Sequence, residues 1–155
     1  MTAELFYLED LVPGMIFRAG PEKIGEADII AFAKQFDPQI FHTDPEAAKG
    51  TIFKGLAASG WHTAGLTMRM LTKGGMPFAG GSVGLGVELS WPRPVRPGDE
   101  LSVECEVVEI RPSRSKPNQA VVTLKTTTRN GNGEAVQIMT SKNLAFKRGT
   151  VPGEM

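Results

Sequence analysis

The chain has 155 residues, with 17 lysines and arginines balancing 17 aspartates and glutamates, and an isoelectric point near 6.7. That balance excludes the basic footprint of a nucleic-acid binder, and the length suits a single domain, 1–155, with a real core. No run is long and apolar enough to span a bilayer, the N-terminus lacks the basic and apolar regions of a signal peptide, and the lone Cys105 allows no intrachain disulfide, so a cytoplasmic location is expected.

Residues 1–7 are expected to be loosely ordered. Met15–Ala19 reads as a first strand closed by Gly20-Pro21, and Lys23-Ile24 as a very short extended piece. Glu26–Phe36 reads as a helix, because Ile29, Phe32, Ala33 and Phe36 share one face and Asp28 complements the dipole in the first turn. Pro38 stops it by about Asp37. Pro38–Thr43 reads as irregular, and across such a broken segment Asp37 and His42 can converge on one small volume. Thr43 or Asp44 can cap a short helix that starts at Pro45 and ends near Lys49.

Gly50–Ala58 reads as a connector anchored by Ile52, Phe53 and Leu56. Ser59 is an N-cap candidate for a second long helix. Its apolar stripe is Trp61, Ala64, Gly65, Met68 and then Leu71 or Thr72, and Lys73-Gly74-Gly75 ends it. The small Ala64 and Gly65 would let that face sit close against a sheet. The free N–H groups of its first turn suit an anion or a carbonyl oxygen gaining negative charge.

From Gly80 the period becomes strand-like. The glycines between Gly80 and Gly86 match no nucleotide-binding fingerprint; they would permit close backbone approach to a ligand or to the long helix. Val87–Trp91 is a strand, and Pro97-Gly98-Asp99 a tight turn. Leu101, Val103, Cys105 and Val107 face inward in the next strand, which makes Cys105 a buried structural residue. Arg111–Asn118 is a polar loop, Ala120–Thr128 a Val/Thr-rich strand, Asn130–Gly133 a hairpin turn, and Ala135–Phe146 a last strand with a bulge near Ser141-Lys142. The tail after Lys147 is expected to be loose. Together these elements make an α+β domain, an antiparallel sheet wrapped around one long central helix. A half-exposed sheet edge would favour pairing with another subunit.

On this order of elements, the Asp37…His42-Thr43-Asp44-Pro45 spacing, Ser59-Gly60-Trp61-His62 and Pro97-Gly98-Asp99-Glu100-Leu101, the chain resembles the MaoC-like enoyl-CoA hydratases and dehydratases of the hotdog fold. The resemblance covers nearly the whole chain. It implies Asp37 and His42 as the catalytic pair and the Gly60 backbone N–H as the oxyanion donor. It also implies water addition to a trans-2-enoyl thioester, or the reverse dehydration. Gln39-Ile40 stand where the family often has Asn-Pro, and Ser59 where His is common.

The implied substrate is an acyl thioester of coenzyme A or of acyl carrier protein, with no cofactor beyond the coenzyme A of the substrate itself. Gln39, Ile40, Phe41, Ser59, Trp61, Phe78, Gly81 and Trp91 are the candidate substrate-binding residues. Arg93, Arg96, Arg111, Arg114 and Lys116 are either contacts for the nucleotide phosphates or solvated surface. The spacing of the histidines and carboxylates matches no metal motif. His62 reads as a structural or pocket-lining residue. The bland alternatives make Asp37 a helix-ending carboxylate and His42 a hydrogen-bonded loop residue. A hotdog thioesterase and a non-catalytic acyl-thioester-binding module remain the rival functions. At least a symmetric dimer is expected.

Overall fold

A computed structural model describes residues 4–153, so the parts of the expected loose termini at 1–3 and 154–155 lie outside the described residues. The strands are β1 (Ile16–Lys23), β2 (Val83–Ser90), β3 (Glu100–Pro112), β4 (Gln119–Arg129) and β5 (Ala135–Phe146). The helices are α1 (Glu26–Phe36), α2 (Ile40–Thr43), α3 (Pro45–Ala48) and α4 (Gly60–Met70), the last continued by a π-turn at Leu71–Gly75. The five strands form one antiparallel sheet in the order β1-β3-β4-β5-β2. It wraps α4 and is the α+β hotdog architecture expected from the sequence.

The core lies between α4 and the concave face of the sheet. Leu66 and Met70 of α4 join Leu101, Val103, Cys105, Val107, Val122, Leu124, Val136 and Met139. The alternation read in β3 places Leu101, Val103, Cys105 and Val107 inward, each at most 3% exposed. Burial raises the Cys105 thiol pKa, which fits an inert core residue.

The face that α4 presents to the sheet differs from expectation. Thr63, Leu66, Thr67 and Met70 are its buried residues, whereas Trp61 and Met68 are exposed and Gly65 has open space around it. Thr67 is accommodated in the core because the sheet supplies its partners. Thr67 Oγ1 lies 2.6 Å from Thr128 Oγ1 and accepts from Gln137 Nε2 at 3.1 Å, which offsets the cost of burying a hydroxyl.

Five further corrections concern local structure. β1 does not end at Gly20-Pro21: the strand continues to Lys23, with its register against β3 shifting between Ala19 and Glu22. β2 begins at Val83 rather than Val87, so Gly84 and Gly86 are strand residues, and the irregularity expected in β5 sits on the other strand, where the register slips between Gly84 and Gly86. The close approach at Gly80 is to the tail rather than to a ligand or α4. A Cβ there would meet Val151 Cγ1 at 2.8 Å, at a backbone φ of +84°. The tail itself is docked, with Val151 buried against Ala79 and Phe146 and with Arg148 paired to Asp10 at 3.0 Å.

Candidate active site

Asp37 is the residue at which α1 ends, held by its backbone N–H donating to Ala33 O. Pro38 then prevents continuation. The segment that follows is not irregular throughout: Ile40–Thr43 forms one helical turn, α2, with the Thr43 hydroxyl donating to Gln39 O. That turn swings His42 back toward the end of α1. Asp44 then caps α3 by accepting from Glu46 N and Ala47 N, with Pro45 in the first helical position.

The His42 ring is 6% exposed as a residue, and its Nδ1 donates to Ala57 O at 2.6 Å. A carbonyl can only accept, so Nδ1 carries the proton and Nε2 faces outward from that anchor. Nε2 lies 3.4 Å from Asp37 Oδ2. Ser59 serves two ends of the site with one hydroxyl. It donates to Asp37 Oδ2 at 2.7 Å and accepts from Trp61 N at 3.2 Å, capping α4. Gln39 Nε2 donates to the other carboxylate oxygen, Oδ1. Burial alone would raise the Asp37 carboxyl pKa; the hydrogen bonds from Gln39 and Ser59, with His42 alongside, outweigh it and hold the group below its ordinary 3.8.

The carbonyl that anchors His42 belongs to a loop held from the far side. Ala57 N donates to Phe41 O and Ala58 N to Val95 O. The Arg96 guanidinium donates to the carbonyls of Phe53, Gly55 and Leu56. Arg96 is thus a structural clamp and is not free to meet a phosphate. Of the expected loop anchors, Leu56 is buried and Phe53 packs on Phe41, but Ile52 is 88% exposed.

Asp37 and His42 open into a cavity of about 480 Å³ lined also by Phe53, Gly60, Trp61 and Trp91. The N–H of Gly60, first residue of α4, has no acceptor among the described residues. Trp91 and Trp61 meet edge to face at 5.6 Å between ring centroids. Of the sequence candidates, Asp37, His42, Gly60, Trp61 and Trp91 line this cavity and Ser59 supports it. Gln39 holds the carboxylate, while Phe41 packs edge-on against His42 at 4.6 Å. Ile40 is 57% exposed and outside the lining. Phe78 is buried in the core and Gly81 sits in an exposed turn at φ +84°, so neither joins the cavity.

Arg93 lines the cavity and pairs with Glu134 at 3.2 Å. Arg111 and Arg114 line a separate depression with Leu144, at the end of β5 away from the cavity residue Val136. His62 belongs to neither. It stacks on Phe32 at 4.6 Å and lines a small hollow with Lys23, Asp28 and Arg69. Its Nδ1 is buried without a partner among the described residues.

Burial lowers the His62 pKa below 6.5, with Asp28 opposing and Arg69 assisting. Because the unfolded chain then binds a proton that the folded one refuses, stability falls as pH drops from about 6.5 toward the folded value. A urea midpoint measured at pH 7.5 and 5.5 should decline more in the native protein than in His62→Gln. Equal declines would show that His62 does not contribute this dependence.

Sequence reasoning missed Gln137. It is fully buried on β5 and accepts from Trp91 Nε1 at 3.0 Å. The available signal was a glutamine that alternates with Ala135 and Met139 on one face of β5.

Comparison with known proteins gives a consistent result. A family model described as MaoC like domain matches residues 11–130. The crystal structure of a MaoC-like dehydratase from Rhodospirillum rubrum has a TM-score of 0.91 and 52% identity, covering 92% of this chain and 98% of that one. The (R)-specific enoyl-CoA hydratase of Aeromonas caviae is 36% identical over 123 residues, 74% of this chain and 86% of that protein. The 3-hydroxybutyryl-CoA dehydratase of Methylorubrum extorquens is 32% identical over 118 residues, 75% of this chain and 73% of that protein.

Proposed function

The chain belongs to the MaoC-like domain family, and from that premise we propose that it adds water across the C2=C3 bond of a trans-2-enoyl-CoA, or removes it from the 3-hydroxyacyl-CoA. The observation that carries the reading is the convergence of Asp37 Oδ2 and His42 Nε2, 3.4 Å apart, on a cavity whose wall includes Gly60 at the start of α4. With Nδ1 protonated, the Nε2 lone pair and the carboxylate are both acceptors. Two acceptors at this spacing suit the two protons of one water.

In the forward direction Asp37 takes a proton from that water as its oxygen bonds to C3. His42 orients the water and relays the proton to C2. The π electrons of C2=C3 move toward the thioester carbonyl, and the negative charge gathers on its oxygen. The free N–H of Gly60 and the positive end of the α4 dipole stabilise that charge. The leaving step of the dehydration is the same path reversed.

The reading is tested by mixing the protein with crotonyl-CoA and longer trans-2-enoyl-CoAs and following both enoyl absorbance and free thiol. Loss of absorbance without thiol release supports hydration. Thiol release supports a thioesterase instead, and inertness across the panel would support a binding module.

A second copy of the chain is part of the proposal. β2 is a sheet edge whose exposed residues include Val83, Leu85 and Val87, each over 40% exposed, with Glu88 the one charged residue of the strand. An edge so little protected invites strand pairing. Trp61, Ala64, Met68 and Leu71 of the helical side continue that apolar surface into a groove of about 500 Å³. Sedimentation should report a dimer, and Val87→Lys should shift it toward monomer. A native protein that sediments as a monomer would remove this part of the reading.

A further inference from the structure

A fully buried glutamine in a core strand is costly unless every polar atom finds a partner. Gln137 does, and its partners run in one direction. The indole N–H of Trp91 can only donate, so it fixes the Gln137 oxygen toward Trp91 at 3.0 Å. The amide nitrogen then faces Thr67 on α4 at 3.1 Å, and Thr67 Oγ1 meets Thr128 Oγ1 of β4 at 2.6 Å. Three elements, α4, β4 and β5, therefore agree on the orientation of one indole.

That indole is pressed onto the start of α4. A Cβ added at Gly60 would lie 2.5, 2.7 and 2.8 Å from Cε2, Cζ2 and Cδ2 of Trp91. The ring also forms part of the wall of the Asp37–His42 cavity and meets Trp61 edge to face. Gln137 touches neither the cavity nor Gly60, yet the geometry at Gly60 is set against a ring that Gln137 orients.

We propose that Gln137 is a positioning residue for the oxyanion donor: through the Trp91 indole it fixes the first residue of α4 so that the Gly60 N–H is aimed before substrate arrives. This deepens, and rests on, the hydratase reading given above. Misaligning a donor that acts on developing charge costs more in the transition state than in the ground state. The effect therefore falls on kcat while KM is largely spared.

The test is a double-mutant cycle with Gln137→Met, which keeps volume but loses both hydrogen bonds, and Trp91→Phe, which keeps a ring but loses the N–H. Each single variant should lower kcat for enoyl-CoA hydration by about 10-fold with KM changed by less than about two-fold. The double variant should be no slower than the slower single, because both act through one ring. In both singles the Gly60 amide cross-peak of a ¹⁵N-labelled sample should move in the same sense, whereas a merely structural role would lower Tm and leave both kcat and that peak in place.

Multiplying kcat losses, or wild-type kcat in a folded Gln137→Met, overturn the proposal. If the native protein hydrates no enoyl-CoA, the hydratase reading falls, and the Gly60 peak alone decides the positioning role: a shared shift supports it and an unmoved peak overturns it.

Discussion

Asp37→Asn should lower kcat/KM for enoyl-CoA hydration by about 10³-fold and leave the protein folded. Asparagine has nearly the same shape but cannot take a proton. It also offers one acceptor oxygen where the carboxylate now serves Ser59 on Oδ2 and Gln39 on Oδ1. One of those donors loses its partner, at a cost of about 1 kcal/mol. His42→Ala should produce a loss of similar size, and the double variant should be little worse than either single, because in the proposed mechanism the two side chains hold one water and act as a unit.

The pH dependence follows from the same contacts. The Asp37 pKa lies below 3.8 in the folded protein, so its contribution to stability is present above that ordinary value and is lost as pH falls through the folded one. The acid limb of kcat/KM, which reports the free enzyme, should therefore lie below the usual carboxylate range. Ser59→Ala, by removing one of the hydrogen bonds that lower the group, should move that limb upward. A limb unmoved in Ser59→Ala would show that the Ser59 contact does not set the base.

Gly60→Ala should lower kcat by roughly 10²-fold, even though the backbone N–H remains. The reason is steric: the added methyl would overlap the Trp91 indole, and relieving that overlap shifts either the ring or the first turn of α4. Overpacking of this kind costs about 1–3 kcal/mol of stability, which thermal unfolding should register. In a Trp91→Ala background the obstacle is gone, so Gly60→Ala should cost less stability there than in the native protein, while the catalytic loss persists. If Gly60→Ala is fully active with a native Tm, the close approach of the ring to Gly60 has no consequence and the oxyanion role of this turn is wrong.

Much of the candidate site was legible because its signals are local. Pro38 after an amphipathic run stops α1 at Asp37, and Ser59 before a helical pattern marks the cap. The Asp37…His42 spacing was informative because Pro38 breaks the helical path between them. What was not legible depended on partners far away in sequence. Hydropathy ranks threonine as polar, so the pattern selected Trp61, Ala64 and Met68 as the core face of α4. The sheet instead takes Thr63 and Thr67, and Thr67 is satisfied by Thr128 and Gln137.

The role of Gln39 was obscured in the same way. Beside Asp37 and His42 it looked like a substrate contact, but its amide is spent on Asp37 Oδ1. Arg96 sat in a basic stretch that suggested phosphate binding, and its donors are taken by three loop carbonyls. Phe78 and Gly81 follow α4 in sequence, yet the chain passes through the core and a turn there before reaching β2. Each miss is a tertiary partner overriding a reasonable local reading.

The most direct test of the Asp37–His42 water is to run the reaction in H₂¹⁸O and examine the intact thioester by mass spectrometry. A trans-2-enoyl-CoA should gain one ¹⁸O at its C3 hydroxyl with the coenzyme A bond unbroken, and Asp37→Asn should abolish that gain over the same interval. Label appearing in the carboxyl group of a released free acid, or equal C3 labelling by the native protein and Asp37→Asn, would contradict the account.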